Sequence, residues 1–210
     1  MIAIIKKIGK IFRDDFQEIM QMMNANRIGL TSQNGIKMMD TFISVKHLSK
    51  KNFEVFLNEI LFSFHNLRMR EVGYLNMFCK LVKNEHFVYS AKDNQILESF
   101  FFHLPMQSRD LNASTRRHSA DLLCQTINSI VWRKNITDTE LGDFVKFLDD
   151  IFTAILDRVH PKQKLSLISE FFIMFFGKFV SSFTNLFYKN TDTQKKAYLW
   201  EKMTKVFMNV

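Results

Sequence analysis

Basic side chains cluster at helix ends along this sequence, and the chemistry they offer is phosphate recognition. Lys6, Lys7, Lys10 and Arg13 fall largely on one side of an N-terminal amphipathic stretch. Arg116, Arg117 and His118 stand where a helix is expected to open, and Arg133 and Lys134 where it closes. Lys162 and Lys164 follow Pro161 at the next expected helix start. A helix start already presents free N–H groups and the positive end of its dipole to an anion. Lysine or arginine there adds charge-assisted hydrogen bonds. The residues expected to touch phosphate are therefore Lys6, Lys7, Lys10, Arg13, Arg116, Arg117, Lys162 and Lys164, set along one rim of the molecule. The net charge of +8 fits such a surface, since it attracts nucleic acid first and acidic membrane second. The plainer account of each cluster is a solvated face that keeps a basic protein dispersed.

Other chemistries find little to work with. His47, His65, His86, His103, His118 and His160 are scattered, and none has an acid or cysteine beside it in a recognisable catalytic arrangement. There is no glycine-rich phosphate loop and no GxSxG elbow. Asp14-Asp15 and Asp149-Asp150 are adjacent pairs, whose side chains point to different sides of a helix. Cys79 and Cys124 lie far apart, outside any CxxC pair, and within apolar helical patterns. They read as small hydrophobes in a reducing compartment. The expectation is a protein with no catalytic centre, no metal and no cofactor.

The elements that carry the basic residues are helices. With 47% hydrophobic residues the chain can bury enough surface to fold, and 6 Gly and 2 Pro in 210 residues are too few for the turns of a sandwich or barrel. Ile4, Ile5, Ile8, Ile11, Phe12, Phe16, Ile19 and Met23 form one stripe at three- and four-residue steps. Lys6, Lys7 and Lys10 interrupt it, so it lacks the unbroken apolar stretch of a signal peptide. Similar stripes run through Ile36–Leu48, Phe53–Phe64, Val72–Val82, Ile96–Leu104, Leu122–Ile130 and Leu141–Leu156. The polar run from Asn84 to Asn94 reads as a loop, Pro105 as the stop of the helix before it, and Thr137 or Asp138 as a cap. Helices of this length with short links form bundles or solenoids, and a period near forty residues would be HEAT-like.

At Asn112–Ile130 the run NASTRRHSADLLCQTINSI resembles the HEAT helix of the condensin subunit 3 (CAP-G) family, in which a basic helix start precedes a cysteine- and leucine-rich face. ILESFFFHL before it looks like the partner helix, and LDDIFTAILDRVHPKQKLSL like the family's next pair. Upstream, KKNFEVFLNEILFSFHNLRMREVGYLNMFCKLV resembles an early repeat and IFRDDFQEI the opening helix. The resemblance spans roughly residues 10 to 168. Arg116 falls where the family has its repeat arginine, while His118 replaces a second basic residue. The resemblance implies an all-α fold of antiparallel helix pairs stacked as a HEAT-like right-handed solenoid over residues 1–168. It also implies a scaffold held by the kleisin subunit, linked through it to the other condensin subunits, and bound to duplex DNA on chromosomes in the nucleus during mitotic condensation.

Residues 169–210 depart from that pattern. Phe171, Phe172, Ile173, Met174, Phe175 and Phe176 form an unbroken apolar run, followed by Phe179, Val180, Phe183, Leu186 and Phe187. A tail foreign to the fold, as from a fragment or mis-spliced gene, is one expectation, and atypical terminal helices are another. Glu170, Lys178 and the dilution by Ser and Thr argue against a membrane span. Anchoring through Phe171–Phe187 stays as the alternative function, beside a helical adaptor with no DNA role.

Overall fold

A computed structural model describes residues 72–107, 113–158 and 166–208, together with 37, 40, 41, 43, 50, 51, 53–55, 57 and 58. The described residues are helices and connecting turns, with no strand among them, so the fold is all-α. Six helices are α1 (Val72–Val82), α2 (Ala91–Gln107), α3 (Ala113–Val131), α4 (Asp138–Arg158), α5 (Ser166–Lys189) and α6 (Thr193–Met208). The chain divides into two compact units, Met1–Phe87 and Val88–Val210.

In the first unit α1 buries Leu75, Met77, Phe78, Cys79, Leu81 and Val82. The Phe87 ring meets Phe78 edge-on at 6.3 Å. Asp40 accepts from Lys80 Nζ at 2.6 Å and Asn76 Nδ2 at 3.3 Å, fixing one flank of α1.

The second unit has two layers. Tyr89, just ahead of α2, meets Phe144 of α4 at 5.2 Å, and Phe101 meets Phe152 at 5.5 Å. Residue numbers rise together on both helices, so α2 and α4 run parallel. Gly142 of α4 lies against Tyr198 of α6, where an added Cβ would stand 3.2 Å from the phenol oxygen. In the other layer Asp121 pairs with Lys178 at 2.7 Å, Asn128 with Ser182 at 2.7 Å, and the Trp132 ring with Phe187 at 6.1 Å. Thus α3 and α5 also run parallel. Each helix leans on the helix two along rather than only on its chain neighbour.

Phenylalanines join the layers. Phe101 of α2, Phe152 of α4 and Phe175 of α5 form a triangle of rings 5.4 to 6.1 Å apart. The Phe-rich segment belongs to this core: Phe171, Phe175, Phe179 and Phe183 recur every four residues and are all buried. Among the described residues α5 is long and apolar enough over Phe171–Lys189 to cross a bilayer, at a mean hydropathy of 1.3. Phe171, Phe175, Phe179 and Phe183 of that stretch pack on protein, and 22% of it is buried.

Local signals set the helix starts. Thr137 and Glu140 form a reciprocal cap on α4: the Glu140 N–H donates to Thr137 Oγ1 at 3.3 Å, and the Thr137 N–H to Glu140 Oε2 at 2.8 Å. Asp192 caps α6 through the Lys195 N–H at 2.9 Å. Two expectations need correction. The loop expected to Asn94 ends at Ser90, because Ser90 and Asp93 cap α2 a turn earlier: the Ser90 N–H donates to Asp93 Oδ2 at 2.7 Å. Pro105 does not stop α2, which continues to Gln107. That close to the C-terminus a proline forfeits one backbone bond, to Phe101, and leaves few residues to misdirect.

Both cysteines are buried and free. The Cys124 thiol donates to the Phe175 carbonyl at 3.4 Å, and burial pushes its pKa up to about 12. Reactivity needs thiolate and access. In native buffer at pH 8 neither thiol is expected to react with a disulfide reagent over minutes, and both should react at once in guanidinium. Fast native labelling of either would contradict this packing.

Candidate phosphate-binding surface

Of the eight expected phosphate contacts, the described residues include two. Arg117 is exposed on α3 and Arg116 half-buried, one turn inside the helix start, with His118 exposed beside them. Lys6, Lys7, Lys10, Arg13, Lys162 and Lys164 lie outside the described residues.

A second basic group, partly missed in the sequence, sits at the far end of α3. Lys195 Nζ donates to the Arg133 carbonyl at 2.6 Å, capping the end of α3, and Arg133 Nε donates to Asn135 Oδ1 at 2.7 Å. Lys196 Nζ stands 5.3 Å from the centroid of Phe187, and Lys134 is exposed. Desolvation lowers the pKa of both Arg133 and Lys195, and Glu140, and for Lys195 Asp192 and Asp138, partly restore it. The meeting of Lys195 with Arg133 was not legible in the sequence, because the two are 62 residues apart. At 1.5 Å per residue, Arg117 and Arg133 are separated by roughly 24 Å along α3. The two groups are separate patches of cationic surface near the two ends of α3.

Among the described residues no group of three or more His, Cys, Asp or Glu could hold a metal. His86 lies 3.9 Å from Glu85 and packs near the Phe53 ring at 6.3 Å. Tyr89 donates its hydroxyl to Asn94 Oδ1, and burial raises its pKa.

Asp93 is fully buried. Its Oδ2 caps Ser90, while Oδ1 meets no hydrogen-bond partner among the described residues. Burial pushes its pKa up to about 6 against the capping bonds that lower it. The folded state therefore binds this proton more tightly than the unfolded chain. The penalty for the buried charge, roughly 3 kcal/mol, is absent below pH 4 and grows as pH rises to about 6. Asp93→Asn should be more stable than the parent at pH 7.5, with the gap closing towards pH 4. Thermal melts of both proteins across that range measure it; a gap independent of pH would show that Asp93 is not held as argued.

No family model matches the chain, and no curated protein and no solved structure matches it either.

Proposed function

We propose that the chain is a non-catalytic HEAT-like scaffold of the condensin subunit 3 type, a right-handed α-solenoid held by a kleisin subunit and gripping the backbone of duplex DNA. The observation that carries this reading is the two-layer stacking of the second unit, with α2, α4 and α6 in one layer and α3 and α5 in the other. Repeat proteins stack helix pairs in this way, so that each pair buries the face of its neighbour. A diagonal pair of an up-and-down bundle touches little, whereas α3 and α5 share an ion pair and a side-chain hydrogen bond, and Trp132 just past α3 meets Phe183 and Phe187 of α5. The resemblance of Asn112–Ile130 falls on α3, whose exposed Arg117 starts one of the two cationic patches.

DNA recognition is sequence-blind in this reading. Lysines and arginines neutralise phosphates and release counterions, and base edges are not read. The kleisin would link the chain to the other condensin subunits, on chromosomes in the nucleus. The test is titration of the chain, co-purified with its kleisin, against duplex DNA at two salt concentrations. The expected result is a complex that weakens steeply with salt and is indifferent to sequence; no salt-sensitive complex would overturn the proposal. The membrane alternative draws on the composition of α5 and on the exposure of its Phe171–Lys189 stretch, of which 22% is buried.

A further inference from the structure

The first turn of α2 buries its acid and exposes most of what surrounds it. The Ser90 N–H and Oγ both donate to Asp93 Oδ2, at 2.7 and 3.2 Å, and the Asp93 N–H donates to the Ser90 carbonyl at 2.9 Å. An acid at a helix start ordinarily sits in water, where its charge favours the positive end of the dipole and costs no desolvation. Here Val88, Ser90, Ala91 and Lys92 are exposed, while Asp93 is at 0%. From Val88 to Asn94 two side chains are buried, Tyr89 and Asp93. Tyr89 is held by its hydroxyl on Asn94 Oδ1 and by its ring against Phe144 at 5.2 Å. Asp93 Oδ1 has no hydrogen-bond partner among the described residues.

We infer that Val88–Asn94 is a proton-operated latch: it stays packed while Asp93 is protonated and opens locally when Asp93 is ionised, with the rest of the second unit still folded. The ionised carboxylate has one oxygen capped and the other unpaired in the interior, an arrangement that costs free energy. Unwinding this one turn hydrates both oxygens and gives up a single buried ring. A segment with so few buried contacts opens well before the whole fold does. No cation offsets the charge. The groups that act on Asp93 are its own burial and Ser90, and those that act on neighbouring Tyr89 are Asp93 itself with Glu140 and Asp143 of α4. Lys92 is exposed. Burial pushes the Asp93 pKa up to about 6. Opening is therefore hardest near pH 4, grows easier as pH rises, and levels off above about 6. The chain leaves the first compact unit at Phe87 and enters the second at Val88, so an open latch adds a turn to the segment that joins them.

Native-state hydrogen exchange of the full chain, read amide by amide by NMR and corrected for intrinsic rates, tests the inference. The amides of Gln95, Ile96 and Leu97 bond back to the first turn. At pH 8 they should be at least about tenfold less protected than those of Leu123 and Ile127 in the core. Their opening should be roughly fifty-fold more frequent at pH 8 than at pH 4. Asp93→Asn should abolish that ratio. Tyr89→Phe should open the turn further at both pH values and keep the ratio. Protection at pH 8 equal to that of Leu123 and Ile127 would mean the turn opens only with the whole unit, and would overturn the inference. So would opening that does not change between pH 4 and pH 8, or an Asp93→Asn protein that retains the pH dependence.

Discussion

Phe175→Ala should destabilise the second unit by about 3–5 kcal/mol, the range for emptying a large aromatic site in a packed core. Phe175 is wholly buried and stands at the junction of both layers. Its ring lies 5.4 Å from Phe101, 6.1 Å from Phe152 and 5.8 Å from Phe179, so truncation removes contacts with α2, α4 and its own helix together. The neighbours are rings held by other rings, and they have little freedom to collapse into the space. Phe172→Ala, three residues earlier on a half-buried position, is the control and should cost a fraction as much. Urea titration followed by circular dichroism measures both. Equal costs at the two sites would mean that Phe175 does not tie the layers together.

Duplex DNA affinity should fall by several orders of magnitude between about 50 and 200 mM salt if the proposed cations act together. Eight side chains neutralising eight phosphates give a slope of log affinity on log salt near −7, about −0.9 per phosphate. Arg117→Glu should flatten that slope by about one contact and weaken binding equally on every sequence. Arg117 is exposed, so its reversal should leave the melting temperature unchanged and separate a binding defect from a folding one. A slope near zero, or an Arg117→Glu protein with the parental slope, would remove Arg117 from the interface.

Much of this architecture was legible in the amino-acid pattern. Leu141, Phe144, Val145, Leu148, Ile151 and Phe152 of the α4 stripe are all buried, and Thr137 caps α4 as its spacing with Glu140 implies. Periodicity reports which face of a helix turns inward, and cap chemistry reports where a helix begins. Neither reports which helix meets which. The pairing of Asp121 with Lys178, or of Lys195 with the Arg133 carbonyl, joins residues more than fifty apart and is set by packing alone. For the same reason the run around Phe175 looked foreign. Its hydrophobicity is extreme along the chain, yet one stripe of it completes the core while Ile173 and Val180 stay outside. The Ser90–Asp93 cap was missed because its polar residues resemble a loop until the buried carboxylate is seen holding the helix start.

The parallel partnership of α3 and α5 also governs how the protein is born. Every contact named between them spans more than fifty residues: Cys124 with Phe175, Asn128 with Ser182, Asp121 with Lys178. At translation speeds of about 5–20 residues per second, α3 leaves the ribosome several seconds before its cover is made. During that interval the buried face of α3, with Leu123, Ile127 and Ile130, lacks the cover of α5, and exposed apolar surface of this kind favours aggregation. Replacing the codons between α3 and α5 with faster or slower synonyms should therefore change soluble yield without altering a single residue.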